Sequence, residues 1–190
     1  MRRDDNWMQT HTGRQVWPLD LRPEDVVLDD IAHSLSMQTR YAGHAPEPYT
    51  IAQHSVFVSR RAQQLAERLH KSADYCFNAA RWGLLHDASE AYLVDVPRPV
   101  KPMLDGYYEI EDRVMKTIAD VFELDEEPFE VKMADNDTLV SEAAMFFPVE
   151  ERPAAWSTHG DNYMTGGFEV LDHGLAKMMF LVRAAELGIC

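Results

Sequence analysis

An all-α helical bundle with a minor β element near the N-terminus is the fold this sequence predicts, and three observations predict it. Apolar residues recur three and four positions apart in separate stretches between residues 51 and 187. Proline and turn clusters divide those stretches, as in "DVPRPVKP" and at Pro128 and Pro148. The β-prone pieces are short and confined to "TGRQVWPLDLRPEDVVL", Thr12 to Leu28. With 190 residues the chain suits a single domain, 1–190, built around one sizeable core.

Residues 1–11 read as frayed, and 12–28 as one or two short strands. "DDIAHSLS" opens a short helix capped by Asp29 or Asp30. "RYAGHAPEPYT" is a loop punctuated by Gly43, Pro46 and Pro48. A long helix over about 51–69 aligns Ile51, Val58, Ala62, Leu65 and Leu69. A second covers about 73–93. A third, about 106–123, places Tyr107, Ile110, Val114, Ile118 and Val121 on one face. A fourth covers about 129–147. Residues 149–169 read as an irregular insertion. A last helix over about 170–187 aligns Leu171, Leu175, Met178, Val182 and Ala185.

The net charge of −14 argues against a surface built for DNA or RNA backbone or for anionic lipid, though a locally cationic pocket is compatible with it. Of the two cysteines, Cys76 lies in an apolar stretch and Cys190 is terminal, so no disulfide framework is expected and a reducing cytoplasm is. "MRRDDNWMQT" has no apolar core, which predicts no signal peptide. "MMFLV" is far too short to span a bilayer, so no membrane partner is expected.

The segment "LLHDASEAYLVDVPRP", Leu84 to Pro99, raises a chemical question. It places His86, Asp87, Glu90 and Asp95 in a stretch that otherwise reads as a buried helix. Buried charge costs several kcal/mol unless it is paired or bound to metal. Helical spacing places His86, Asp87 and Glu90 on one side of that helix, near its end. His54 heads the apolar stripe of the first long helix, four residues before Val58. In the fourth helix the stripe is Val131, Asp135, Leu139, Ala143 and Phe146, with Asp137 about 200° away on a mixed face. Separate helices thus direct His54, then His86 with Asp87, then Asp135 inward. Two imidazoles and two carboxylates suit a divalent transition metal with positions left for water and substrate.

In order and spacing, "IAQHSVFVS", "LLHDASEAYLVDVPRPVK" and "VKMADNDTLVSEA" resemble the signature of HD-domain metal-dependent phosphohydrolases. The likeness is greatest to the small bacterial and prophage group around the YfbR-type 5′-deoxynucleotidases, and runs from about Thr12 to Met145 and through the last helix. The resemblance implies an HD-domain helical bundle with His54, His86, Asp87 and Asp135 as metal ligands. It implies Glu90 and Asp95 in the catalytic centre, and Arg40 with Tyr41 as a nucleotide contact, where Trp or Phe is usual in place of Tyr41. Lys101 and Arg40 are the candidate phosphate clamps. His44 is a candidate partner to the ligands, or structural; His33 is assigned to packing. The remaining histidines, His11 among them, are treated as structural or exposed. Residues 148–168 have no clear counterpart.

Two-metal members of the superfamily need further histidines between the His-Asp pair and the last Asp. None lies between His86 and Asp135, so one divalent ion is expected, with Mn, Co, Ni, Zn, Fe and Mg all compatible. The expected reaction is hydrolysis of a deoxynucleoside 5′-monophosphate. The alternatives are removal of triphosphate from a dNTP and, in another class, a non-catalytic metal- and nucleotide-binding module. The expected partners are a small nucleotide and, by analogy, a second copy of the chain, with no polymeric nucleic acid. No Gly-x-Ser-x-Gly elbow, His-Glu-x-x-His or phosphate-binding Gly-rich loop offers a competing chemistry.

Overall fold

A computed structural model describes residues 5–147 and 160–190. Three of its long helices begin at a side chain that accepts from their free N–H groups. The Thr50 hydroxyl accepts from Gln53 N at the start of α2, after α1 (Leu28–Met37); α2 spans Ile51–Arg68. Ser72 caps α3 (Ala73–Leu85) through Tyr75 N. After the short α4 (Glu90–Leu93), α5 spans Tyr107–Val121, and α6 (Phe129–Phe146) follows Pro128. Asp172 caps α7 (His173–Glu186) by accepting from Gly174 N and Leu175 N.

The centre of the bundle is α2, which packs against α3, α6 and α7. One apolar cluster includes Ile31, Leu35, Ile51, Val56, Leu84, Ile118 and Phe180, and a second includes Val58, Ala62, Leu65, Ala79 and Val131. The contact between α2 and α3 is backbone to backbone at Gly83. A Cβ there would lie 2.8 Å from Ser59 Cα and 3.0 Å from Val58 O, so only glycine permits the approach. That approach brings His54 of α2 close to His86, which directly follows α3.

Several expectations are corrected. Residues 8–9 are not frayed: β1 (Met8–Gln9) pairs antiparallel with β2 (Gln15–Val16), Met8 opposite Val16. The chain from Pro18 to Asp25 forms two single 3₁₀ turns, not a strand, because Pro18 and Pro23 each open one. Neither Asp29 nor Asp30 caps α1, which starts after Val27 with no side-chain cap. Instead Asp30 accepts from Thr12 N (2.7 Å) and Thr12 Oγ1 (2.8 Å), fastening the hairpin to α1, and Asp29 pairs with Lys177 of α7 at 2.7 Å. The His11 ring stacks on His33 at 3.6 Å, a structural contact.

The predicted 73–93 helix is also broken. It stops at Leu85, and the next bonds shorten to i→i−3: Ala88 N to Leu85 O, Glu90 N to Asp87 O, Ala91 N to Ala88 O. In that tighter winding, side chains three apart eclipse. Asp87 and Glu90 therefore lie on the same side of this turn.

Residues 149–159 of the predicted irregular insertion lie outside the described residues. Residues 160–169 contain no helix or strand and run along α6, with Asp161 N donating to Asp137 and Tyr163 N to Ser141 Oγ. Cys76 is buried and Cys190 exposed. Among the described residues no helix is long and apolar enough to cross a membrane.

Candidate metal centre

His54, in the first turn of α2, is fully buried. Its Nδ1 lies 2.6 Å from Oε1 of Glu142 on α6, which is fully buried too. The same carboxylate accepts from Tyr49 OH (2.8 Å), Tyr41 OH (2.7 Å) and Arg40 Nε (3.2 Å). Burial alone would raise the Glu142 pKa, but Arg40, His54 and these hydrogen bonds outweigh it and hold the group near 2. With an anion on Nδ1, the His54 proton belongs there and the lone pair is on Nε2.

His54 Nε2 has no hydrogen-bond partner among the described residues. It faces two carboxylates, at 3.4 Å from Asp135 Oδ1 and 3.8 Å from Asp87 Oδ2. His86 repeats the arrangement. Its Nδ1 donates to Gly83 O at 2.9 Å, while Nε2, without a hydrogen bond among the described residues, lies 3.2 Å from Asp87 Oδ2. The ligand atoms of His54, His86 and Asp87 all lie within 4.8 Å of one another, so this group could hold a metal ion. Asp135 joins the cluster through its approach to His54.

The residues fit a divalent cation by more than proximity. Metal-bound imidazoles donate the second ring N–H to a carboxylate or a carbonyl, and these two do so to Glu142 and Gly83. The electrostatics point the same way. Burial disfavours charge on His86, yet Asp87 and Asp135 overcome it and raise its pKa to about 9. Burial likewise opposes ionisation of Asp87 and Asp135, but the two imidazoles and Arg40 hold both acids well below the usual carboxylate range. The cluster favours positive charge at its centre, which a proton on His86 or a cation supplies.

Glu90 opens α4 and is 5% exposed, with its Oε1 3.8 Å from Lys101 Nζ and its Oε2 unpaired among the described residues. Burial, then Asp87 and Asp95, raise its pKa to about 10. Asp95 is half-buried, and burial raises its pKa against the pull of Arg40. It follows Val94, whose backbone (φ 68°, ψ 154°) occupies a region normally left to glycine. Lys101 Nζ is shared between Glu90 and Glu111 Oε1, the latter at 2.7 Å, and lies 5.5 Å from the Tyr107 ring centre.

Arg40 and Tyr41 are placed differently from a free nucleotide-binding pair. Both contact Glu142, and Arg40 Nη1 is also 3.6 Å from Asp87 Oδ2. The Tyr41 ring meets Phe147 edge to face at 5.2 Å. A cleft of about 950 Å³ opens beside the cluster, with His86, Asp87 and Asp135 in its wall. Two cations not singled out in the sequence reach Asp135 Oδ2 there: Lys132 Nζ at 3.3 Å and Arg98 Nη2 at 3.5 Å. Farther along, the lining includes Asp112, Asp120, Asp125, Glu126 and Glu127. His44 is exposed and donates its backbone N–H to Tyr41 O.

Glu142 was not picked out in the sequence, although it sits seven residues after Asp135, on the same helical face, beside Ala143. Asp137 is also reassigned. It is 5% exposed and not on a mixed surface, because Arg61 of α2 reaches it through Nε at 2.7 Å, with the Tyr163 ring 4.7 Å from the guanidinium. The two acids point to different partners, Asp135 to His54 and Asp137 to Arg61.

No family model matches the chain. It is homologous to two uncharacterized proteins. One is YfdR of Escherichia coli K12, 33% identical over 119 residues, covering 63% of this chain and 60% of YfdR. The other, from Rhodobacter capsulatus, is 33% identical over 115 residues, covering 59% of this chain and 56% of that protein. The match spans less than two thirds of either relative.

Proposed function

We propose that this chain is a metal-dependent phosphohydrolase of the HD-domain type, acting on nucleotides, with deoxynucleoside 5′-monophosphates as the substrate class. One observation carries the reading. Two buried imidazoles each have Nδ1 committed to an acceptor and Nε2 turned, without a hydrogen bond among the described residues, toward shared carboxylates. His54, His86, Asp87 and Asp135 would hold the cation. Once bound, it would supply Lewis acidity toward a phosphoryl oxygen and a water of lowered pKa.

The chain's own residues account for the remaining work. Glu90, with Oε2 unpaired among the described residues, orients the attacking water, and a cation bound beside it would favour the ionised form able to take up a proton. Asp95, whose pKa burial raises, is the proton donor to the departing oxygen. Lys101, Arg98 and Lys132 flank the cluster as phosphate contacts. Arg40 serves the ligands more than the substrate, since it is bound to Glu142 and close to Asp87. The carboxylates farther along the cleft repel additional phosphates, which favours a monophosphate over a triphosphate.

The test is phosphate release from a panel of nucleoside mono- and triphosphates, with several divalent ions and a chelator control. Chelator-sensitive release from deoxynucleoside monophosphates supports the proposal. Triphosphate release from dNTPs would replace it, and tight metal and nucleotide binding without turnover would make the chain a binding module.

A further inference from the structure

Gln38, the residue after α1, joins the segments that carry the two unligated carboxylates. Its Nε2 donates to Glu90 O at 2.9 Å and to Ser34 Oγ at 3.1 Å, and its Oε1 accepts from Asp95 N at 3.1 Å. One amide thus bonds both ends of the Glu90–Asp95 turn. The main chain of Gln38 is fixed independently: its N–H donates to Ser34 O (3.2 Å), and its carbonyl accepts from Ile51 N (3.1 Å) at the start of the helix bearing His54. Between the two bonded ends lies Val94, at φ 68°. A β-branched residue holds that conformation only where its surroundings enforce it. The Asp95 N–H would have no reason to stay in register if the Gln38 acceptor were removed.

From this geometry we infer that Gln38 is a positioning residue: it holds Glu90 and Asp95 in fixed relation to each other and to the helix carrying His54. Its consequence for turnover rests on the proposed hydrolase reading, but the clamp itself does not. Two carboxyl groups that handle protons on opposite sides of a reacting phosphate must keep their separation, and a misplacement of about 1 Å costs on the order of 100-fold in rate. Gln38 is not in the wall of the cleft, and among the described residues its side chain hydrogen-bonds Ser34 and these two segments, so it is placed to act through them.

Two variants test it. Gln38→Leu removes all three side-chain bonds; Gln38→Glu keeps an oxygen for the Asp95 N–H and removes the donor to Glu90 O. Residue-resolved amide exchange on the full chain is the first readout. Gln38→Leu should speed exchange at Asp95 by about ten-fold or more, confined to residues 90–96, while Gln38→Glu leaves Asp95 near the wild-type rate. Binding of Mn²⁺ to both variants should match wild type, and kcat on the best nucleotide should fall about 10- to 100-fold in Gln38→Leu with KM little changed. Unchanged exchange at Asp95, or exchange that rises equally throughout the chain, overturns the positioning role. If Gln38→Leu does not fold, an unprotected Asp95 amide in Gln38→Glu overturns it as well. Wild type that turns over no nucleotide overturns the hydrolase reading and leaves the exchange result to decide the clamp.

Discussion

Glu142 and His54 meet at 2.6 Å, carboxylate to Nδ1, with both side chains fully buried. This contact ties α6 to α2 and fixes which imidazole nitrogen faces Asp87 and Asp135. Replacing Glu142 by Gln keeps the shape but removes the anion. The expected outcome is a loss of about 10- to 100-fold in affinity for Mn²⁺, read by calorimetric titration of the metal-free protein. Glu142→Ala, which leaves Arg40, Tyr41, Tyr49 and His54 without their common acceptor, should also destabilise the fold by about 3–5 kcal/mol.

The same carboxylate makes stability depend on pH. Its pKa falls from 4.5 to about 2 in the folded protein. A group lowered on folding stabilises above its unfolded pKa, and that contribution is lost as pH falls through the folded value. Glu142 should therefore contribute about 3 kcal/mol above pH ~4.5, declining toward pH ~2. Urea unfolding of the metal-free protein across this range should give a shallower acid limb in Glu142→Gln than in wild type.

Asp135 and Asp137 should separate cleanly. Asp137→Asn leaves the buried Arg61 with only the exposed Asp161 carboxylate, 3.7 Å away, and should cost about 3–5 kcal/mol in chemical unfolding while metal binding persists. Asp135→Asn should weaken metal binding with a smaller effect on stability. If instead Asp137→Asn abolishes binding and Asp135→Asn does not, the cluster has been drawn around the wrong acid.

Glu90→Gln tests the division between holding metal and doing chemistry. Turnover should fall by about 10²- to 10⁴-fold with bound metal intact. Loss of the ion from this variant would make Glu90 a ligand.

Much of this was legible in the sequence because buried helices register their faces through 3.6-residue spacing. That spacing found α2, α5, α6 and α7 and turned His54 and Asp135 inward, but in α7 it picked the wrong face: Leu175, Met178 and Val182 are exposed, and Ala176, Phe180 and Ala184 are buried. It failed where winding changes. From Leu85 the bonds shorten to i→i−3, and a helical wheel carries no sign of the shift, so 73–93 read as one helix. It also failed where a polar residue is buried for a partner's sake. Asp137 and Glu142 look like surface residues until Arg61 and His54, both far away in the chain, arrive beside them. β2 lies within the stretch read as strand, but β1 fell in the stretch read as frayed, because a two-residue ladder depends on its hairpin and on the Thr12–Asp30 tie more than on β propensity. Gln38 gave no signal because its three side-chain contacts are with Ser34, Glu90 and Asp95, and two of these are distant in sequence.

The most direct measurement is metal content after the chain is loaded with Mn²⁺, Co²⁺ or Ni²⁺ and freed of excess ion. Wild type should retain about one ion per chain, and His54→Ala and His86→Ala should retain almost none while keeping their helical content. Equal retention in wild type and both variants, or none in wild type with any of the three ions, would contradict the account.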